Sequence, residues 1–112
     1  MKKFLVLYQS TVPASEQMKN ATPEQAKAGM DAWMSWAGRA GSGIVDMGSP
    51  VATAARLNGP TQITVGNSQV GGYSILQGKD APAVKRILEG HPHLLLPGAS
   101  IDVLEFLAVP GT

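Results

Sequence analysis

Residues 3–9 have the sequence KFLVLYQ, a short run of strand-forming side chains that decides how the rest of the chain must fold. Successive residues of a strand point to opposite faces, so Phe4, Val6 and Tyr8 lie on one face and two leucines lie on the other. Both faces of this strand are apolar. A sheet covered by helices on one side only is normally polar on its other side. The pattern therefore predicts that something covers both faces.

The end of the chain repeats this pattern over residues 100–109, which we predict to be the last strand. Only Asp102 and Glu105 are charged there. The apolar side chains of one parity are Ile101, Val103, Leu107 and Val109, and those of the other are Leu104, Phe106 and Ala108. Leaving such side chains in water forgoes about 1.5 to 3 kcal/mol of burial for each. A second copy packed on the bare face removes that deficit, so we predict a homodimer.

Helix signals follow the first strand and recur near residue 80. Thr22-Pro23-Glu24-Gln25 combines an N-cap, a proline at the first helical position and a capping box. Gly41 ends this helix, and Trp36 lies at the edge of its apolar stripe. The stripe itself is predicted to contain Ala26, Met30, Trp33, Ala37 and Ala40. Asp80 caps a second, shorter helix that stops at Gly90.

Three further extended segments complete the predicted order of elements. One begins at Ile44 and Val45, and one covers residues 72–77. Between them, residues 51–57 and 61–65 flank a turn at 58–60, with Ile63 and Val65 alternating with polar residues as in a half-exposed strand. The order strand, helix, strand, strand, helix, strand predicts an α+β, ferredoxin-like βαββαβ fold with an inserted hairpin, as one domain over residues 1–112.

Composition excludes several classes of protein. The net charge is +1 and the nine Lys and Arg form no cluster, so we do not expect a nucleic-acid partner. The chain has no cysteine, which excludes disulfides and thiolate chemistry, and no apolar run long enough for a membrane span or a signal peptide. We therefore expect a cytoplasmic protein without membrane association.

Several short motifs follow one another between Lys3 and Val109. They are Trp33-x-x-Trp36, Gly43-Ile44-Val45-Asp46-x-Gly48-x-Pro50, Gly72-Tyr73, Pro92-His93-Leu94 and Gly98-x-Ser100-Ile101-x-Val103-x-Glu105. Together they resemble the YCII-related family, close to its DGPF group. The resemblance implies a dimeric α/β barrel, in which the two sheets of a homodimer face each other. It also implies a cleft in each subunit between the sheet and the loop after the second helix, which would take a small organic molecule.

Members of that family are described as enzymes with a His and Asp pair, which this sequence does not reproduce. The family histidine lies on the first helix, where this chain has none, and the family aspartate precedes a proline in the loop after the second helix. Here His91 stands before Pro92, and the DGPF motif is replaced by NGPT at residues 58–61. The family pair is therefore not carried over.

The two imidazoles, His91 and His93, are the candidate general acids or bases, since histidine titrates near neutral pH. In that interpretation one of them transfers a proton and Asp46 or Asp102 orients it. In the alternative, a histidine after the helix end bonds the last helical carbonyls. Asp46 similarly either enters a pocket or caps the turn toward Gly48.

The candidate ligand contacts are Tyr73, Met47 and Trp36. The phenol of Tyr73 can donate to a ligand, although a strand tyrosine also serves as core. Trp36 would line either a cleft or the dimer seam, whereas Trp33 belongs to the core. Two histidines without a further His or Cys are a weak metal signal, so we predict neither a metal nor another cofactor.

Three functions remain open from the sequence. The first is a cofactor-free enzyme that moves a proton on a small aromatic or acidic molecule with His93, His91 and Asp46. The second is a dimeric binding or accessory protein without catalysis, and the third is a chain retained for its interface. An open pocket that joins the imidazoles to Asp46 and Tyr73 would favour the enzyme.

Overall fold

The computed structural model describes residues 1–60, 62–64 and 68–111, with the side chains of 62–64 excepted. The elements in chain order are β1 (Lys2–Gln9), α1 (Ala14–Asn20), α2 (Pro23–Ala40), β2 (Ile44–Asp46), β3 (Arg56–Asn58), β4 (Gln62–Thr64), β5 (Val70–Gly78), α3 (Ala81–Leu88) and β6 (Ser100–Glu105). Short 3-10 turns at Gly41–Gly43 and Pro92–Leu95 follow α2 and α3.

The main sheet has four antiparallel strands in the order β2-β5-β1-β6, and β3 pairs with β4 in a separate hairpin. The two longest strands, β1 and β5, occupy the centre, with Phe4 opposite Leu76 and Leu7 opposite Tyr73. The fold is therefore mixed α+β, as the sequence predicts. Within the described residues, none of the helices has the length and apolar character that crossing a membrane requires.

Both predicted helix starts are confirmed. The Thr22 hydroxyl accepts from the Gln25 amide and the Gln25 side chain accepts from the Thr22 amide, which completes the capping box. The Asp80 carboxylate accepts from the amide of Ala83 at the start of α3. Gly41 ends α2 with φ 55°, a conformation that suits glycine.

The core lies on one face of the sheet, beneath α2 and α3. It consists of Phe4, Val6, Tyr8, Trp36, Leu76, Val84 and Leu88. Residues of one parity in β1 and β5 are buried, and those of the other parity are only half-buried. Of the two apolar faces predicted for β1, one is thus covered by the helices and the other is open.

The predicted packing stripe of α2 is wrong in its first half. Ala26 and Met30 are exposed, as are all the residues from 23 to 32, because this half of α2 extends beyond the core. Trp33, Ala37 and Ala40 pack against the core as predicted. Trp36 is fully buried instead of lying at the edge of the stripe.

Three segments also differ from the prediction. The last strand ends at Glu105 rather than continuing to residue 109, and residues 14–20 form a helix that the polar composition concealed. The hairpin exists, but β3 begins only at Arg56. The predicted alternation of Ile63 with Val65 depends on residues outside the described part of the chain.

The face of the sheet opposite the helices is apolar and uncovered within the described chain. Leu5 and Leu7 of β1 share this open face with Tyr73 and Ile75 of β5, to which they are paired. Leu104 of β6 lies opposite Leu5 and is 47% exposed. Such a sheet face is unlike the polar outer face of an antiparallel sheet in a monomer.

The molecule exposes more surface than a folded monomer of its size. Its accessible area is 7868 Å², whereas a compact monomer of this mass exposes about 5,900 Å². The Cα radius of gyration is 15.7 Å, against about 13 Å for a compact chain of this length. A lone copy therefore leaves roughly 2,000 Å² more surface in water than is usual.

Gly48 follows β2 and lies against β5, and its replacement gives a stability prediction. A Cβ at Gly48 would lie 1.7 Å from the Tyr73 carbonyl oxygen, with φ +79°. We expect Gly48→Ala to lower the free energy of unfolding by more than about 3 kcal/mol, measured by urea denaturation. Gly59, at φ +76° with nothing within 4 Å of its Cβ, is the matched control. Gly59→Ala should cost only about 1 to 2 kcal/mol, and equal losses would refute the steric explanation.

Candidate functional site

The two histidines lie in the connection from α3 to β6. Gly90 at φ +73° turns the chain after α3, and the His91 amide donates to the carbonyl of Leu88. His91 then caps the 3-10 turn Pro92–Leu95, in which its carbonyl accepts from the Leu94 amide. The end of α3 thus bonds the backbone of His91, and the His91 ring is free to enter the core.

The ring of His91 is fully buried in an aromatic cage formed by Tyr8, Trp33 and Trp36. It stacks on Tyr8 with a centroid separation of 5.0 Å. Both indoles meet it edge-on, with centroid separations of 4.4 Å. Every wall of this cage is a side chain from β1 or α2, so the histidine anchors the α3–β6 connection to both elements.

A hydrogen bond determines the tautomer of the His91 ring, and burial determines its charge. Its Nδ1 accepts from the His93 amide at 3.0 Å, which places the proton of the neutral ring on Nε2. Nε2 has no hydrogen-bond partner in the described residues, and N–H groups in such cages contact aromatic faces instead. Burial, together with the nearby His93 and Arg39, lowers the pKa of His91 to about 4. The ring is therefore neutral at pH 7.

His93 uses its side chain to fasten two strands. Its Nε2 lies 2.8 Å from the carbonyl oxygen of Gln9 and 3.1 Å from that of Ser100. Because carbonyls only accept, Nε2 is the donor to both. These bonds tie the connection to the end of β1 and the start of β6, and they leave the lone pair of the neutral ring on Nδ1.

A buried chain of hydrogen bonds crosses the sheet beside this cage. The hydroxyl of Tyr8 donates to the Ser74 hydroxyl at 2.9 Å, and Ser74 donates to the Met47 carbonyl at 2.7 Å. Burial raises the pKa of Tyr8, against the lowering effect of its bond to Ser74. Ser74 was not predicted from the sequence, where its only signal is its parity with the buried residues of β5.

Trp36 is a core residue rather than a cleft or seam residue. Its exposed fraction is 0%, and its indole nitrogen donates to the carbonyl of Ile87 at 2.9 Å. The bond joins α2 to α3 across the helix layer. The indole therefore has no free polar group to offer a ligand.

The other three predicted site residues lie together, but apart from the histidines. Asp46 pairs with Ile75 at the β2–β5 edge, and Tyr73 faces the open side of the sheet. The Asp46 carboxylate accepts from the Gly48 amide at 2.8 Å, which is the turn cap that its sequence setting allowed as the alternative to a pocket role. Met47 follows Asp46 and is partly exposed. His91 packs on the opposite face of the sheet, so Asp46 does not orient either imidazole.

The chain matches no protein-family model and no curated protein sequence. The resemblance to the YCII-related family therefore stays a prediction from the residues.

The two best-formed grooves of the described surface lie away from the predicted residues. One groove is lined by residues of the hairpin region, Thr53, Ala55, Arg56 and Ser68, and another lies between α1 and residues 50–52. Neither contains a predicted site residue. Among the described residues, no three His, Cys, Asp or Glu side chains are grouped to hold a metal. The sheet therefore carries an aromatic core on one face. Its other face is mainly apolar, with a few polar groups at the β2–β5 edge.

Proposed function

We propose that this chain is a homodimeric small-molecule-binding protein of the YCII-related kind, with two ferredoxin-like sheets facing each other in a dimeric α/β barrel. In this proposal the binding residues belong to the open face and its β2–β5 edge. The histidines have a structural role, so the protein binds its ligand without proton transfer.

The open apolar face carries this proposal. Leu5, Leu7, Tyr73 and Ile75 are half-buried in one copy and Leu104 is exposed. The same residues would form a core if a second sheet covered them. The excess surface of roughly 2,000 Å² per chain corresponds to about 4,000 Å² per dimer. Obligate dimers bury about 2,000 to 5,000 Å² or more, so the excess surface is large enough to supply a symmetric sheet-to-sheet contact.

The strand order supports the ferredoxin-like arrangement. With the β3–β4 hairpin set aside, the chain contains two strand-helix-strand units, each of which spans a strand of the other unit. All neighbouring strands of the main sheet are antiparallel. This order and these directions support the split βαβ pattern that we propose, in which both helices cover one face and leave the other bare.

The arrangement of side chains favours binding over catalysis. Small-molecule sites are mainly apolar with a few polar groups that fix orientation. Tyr73, Asp46 and Met47 supply that mixture at the margin of the proposed dimer contact. A general base needs an available nitrogen near its substrate, whereas His91 is sealed in its cage, His93 is buried, and neither imidazole lines either of the two grooves described above.

A calorimetric comparison of two variants tests this function. Aromatic and dicarboxylic acids are first screened by thermal shift, and the Kd of each stabilising compound is then measured by titration calorimetry. We expect Tyr73→Phe to weaken binding about tenfold, since one hydrogen bond to the ligand is lost. Ser35→Ala on the exposed side of α2 is the control for a lost hydroxyl.

His93→Gln separates the two functions, because the glutamine amide can keep donating to the Gln9 carbonyl. If the protein only binds its ligand, the Kd should be unchanged in this variant. Loss of ligand response in His93→Gln, together with unchanged binding in Tyr73→Phe, would contradict the proposal and favour the catalytic alternative.

A further inference from the structure

Residues 91–96, which we call the strap, connect three elements through their backbone and two imidazoles. The His91 amide bonds α3 at Leu88, and the His93 ring bonds β1 at Gln9 and the start of β6 at Ser100. The His91 ring reaches past the strap into the aromatic cage. The strap therefore closes over Tyr8, Trp33 and Trp36.

The leucines of the strap contribute little burial to keeping it closed. Its three consecutive leucines, Leu94, Leu95 and Leu96, are all exposed, Leu95 by 84%. The two histidines are the buried side chains of the segment. Opening the strap would thus give up few apolar contacts apart from those of the His91 ring.

The closed position of His91 accommodates only the neutral ring. Protonation adds a hydrogen to Nδ1, which already accepts from the His93 amide nitrogen at 3.0 Å, so two donors would oppose each other. The titratable and charged groups around the ring are Tyr8 from β1, Arg39 from α2 and His93 from the strap itself. None of these groups is negative at neutral pH. The Leu88 carbonyl of α3 accepts from the backbone amide of His91 and not from its ring.

We propose that residues 91–96 form an acid-released strap: protonation of His91 expels its ring from the cage, opens the strap and uncovers Trp36. The strap is closed when His91 is neutral, and His93 then holds the ends of β1 and β6 together. Opening is local, because the β1–β5 pairs from Lys2 to Leu7 lie outside the strap's contacts.

The size of the effect follows from linkage. His91 in the closed strap takes up a proton at a pKa of about 4, whereas a histidine in the open, solvated strap titrates near a pKa of about 6.5. The closed form is therefore favoured fully above about pH 6.5 and loses ground as the pH falls toward about 4. Between pH 7 and pH 5 the opening equilibrium constant should rise roughly 20-fold.

Hydrogen exchange on the full chain tests the strap. Protection factors, corrected for the intrinsic pH dependence of exchange, are compared at pH 7 and pH 5 for the amides of His93, Leu94 and Leu96, which bond within the strap. We expect the protection factors of these three amides to fall roughly 20-fold. The β1–β5 amides used as controls, those of residues 2–7 that bond to β5, should keep their protection. Acrylamide quenching of tryptophan fluorescence should rise over the same range as Trp36 becomes accessible.

Two variants complete the test. His91→Asn keeps an acceptor for the His93 amide but does not titrate, so its strap protection and tryptophan quenching should not depend on pH. His93→Gln retains His91 and should keep the pH dependence. The proposal is overturned if the wild-type strap shows no change between pH 7 and pH 5, if β1–β5 amides lose protection in parallel, or if His91→Asn responds like the wild type.

Discussion

The Leu104→Lys variant should be monomeric at concentrations where we expect the wild-type chain to be dimeric. Leu104 lies on the open face opposite Leu5, where the proposed second sheet would cover it. A lysine there would bury one unpaired ammonium from each subunit in an apolar contact, and removing such a charge from water costs several kcal/mol. We expect the dimer Kd to rise at least about 1,000-fold, equivalent to about 4 kcal/mol. Light scattering after size-exclusion chromatography measures the change in mass.

Met30→Lys is the matched control for this experiment. Met30 is 63% exposed, comparable with Leu104, but it lies on α2 in the helix layer rather than on the open face. Its replacement should leave the dimer intact. Equal behaviour of the two variants would mean that the open face is not the contact surface.

Trp36→Ala should cause a large loss of folding stability. The side chain is fully buried and also bonds the Ile87 carbonyl, so its removal creates a cavity and leaves that carbonyl without the indole donor. Truncating a buried tryptophan costs about 3 to 5 kcal/mol in typical cores, and we expect a loss of about 4 kcal/mol. Trp36→Phe should retain part of the packing and lose less. Urea denaturation followed by circular dichroism measures both.

Met34→Ala tests whether this loss is specific to burial. Met34 is on the same helix as Trp36 but is 58% exposed, so its truncation should change stability by no more than about 0.5 kcal/mol. If Trp36 were instead a ligand contact at a cleft, Trp36→Ala would leave stability almost unchanged and abolish ligand binding.

Local rules in the sequence predicted most of the regular elements. Residues 3–9 carry a period of two, and the structure gives their two parities different burial. The starts of α2 and α3 follow from side-chain caps, which depend only on neighbouring residues. Such features can be predicted because their hydrogen-bond partners lie within one turn of the chain.

Features set by tertiary packing were harder to predict. Periodicity places Met30 and Trp33 on one side of α2, but it does not determine where along its length the helix leaves the core. The apolar residues after Glu105 continue the strand pattern, yet β6 ends there, where the Phe106 amide still bonds the carbonyl of Lys3. The helix Ala14–Asn20 lacks a buried residue, and so it has no apolar stripe to reveal it.

The candidate site shows the same limit. The sequence identified both histidines but could not determine that His91 would turn toward Tyr8, away from the face that Tyr73 occupies. Asp46 and Tyr73 are brought together because β2 pairs with β5. Which sheet face each side chain shares depends on strand register, which no local motif specifies.

Sedimentation equilibrium of the wild-type chain at micromolar concentrations tests most directly whether a second copy covers the bare sheet. We expect a single species of twice the 11.7 kDa chain mass, stable on tenfold dilution. A mass of one chain throughout that range would contradict the dimer, since the leucines of β1 and β6 would then face water.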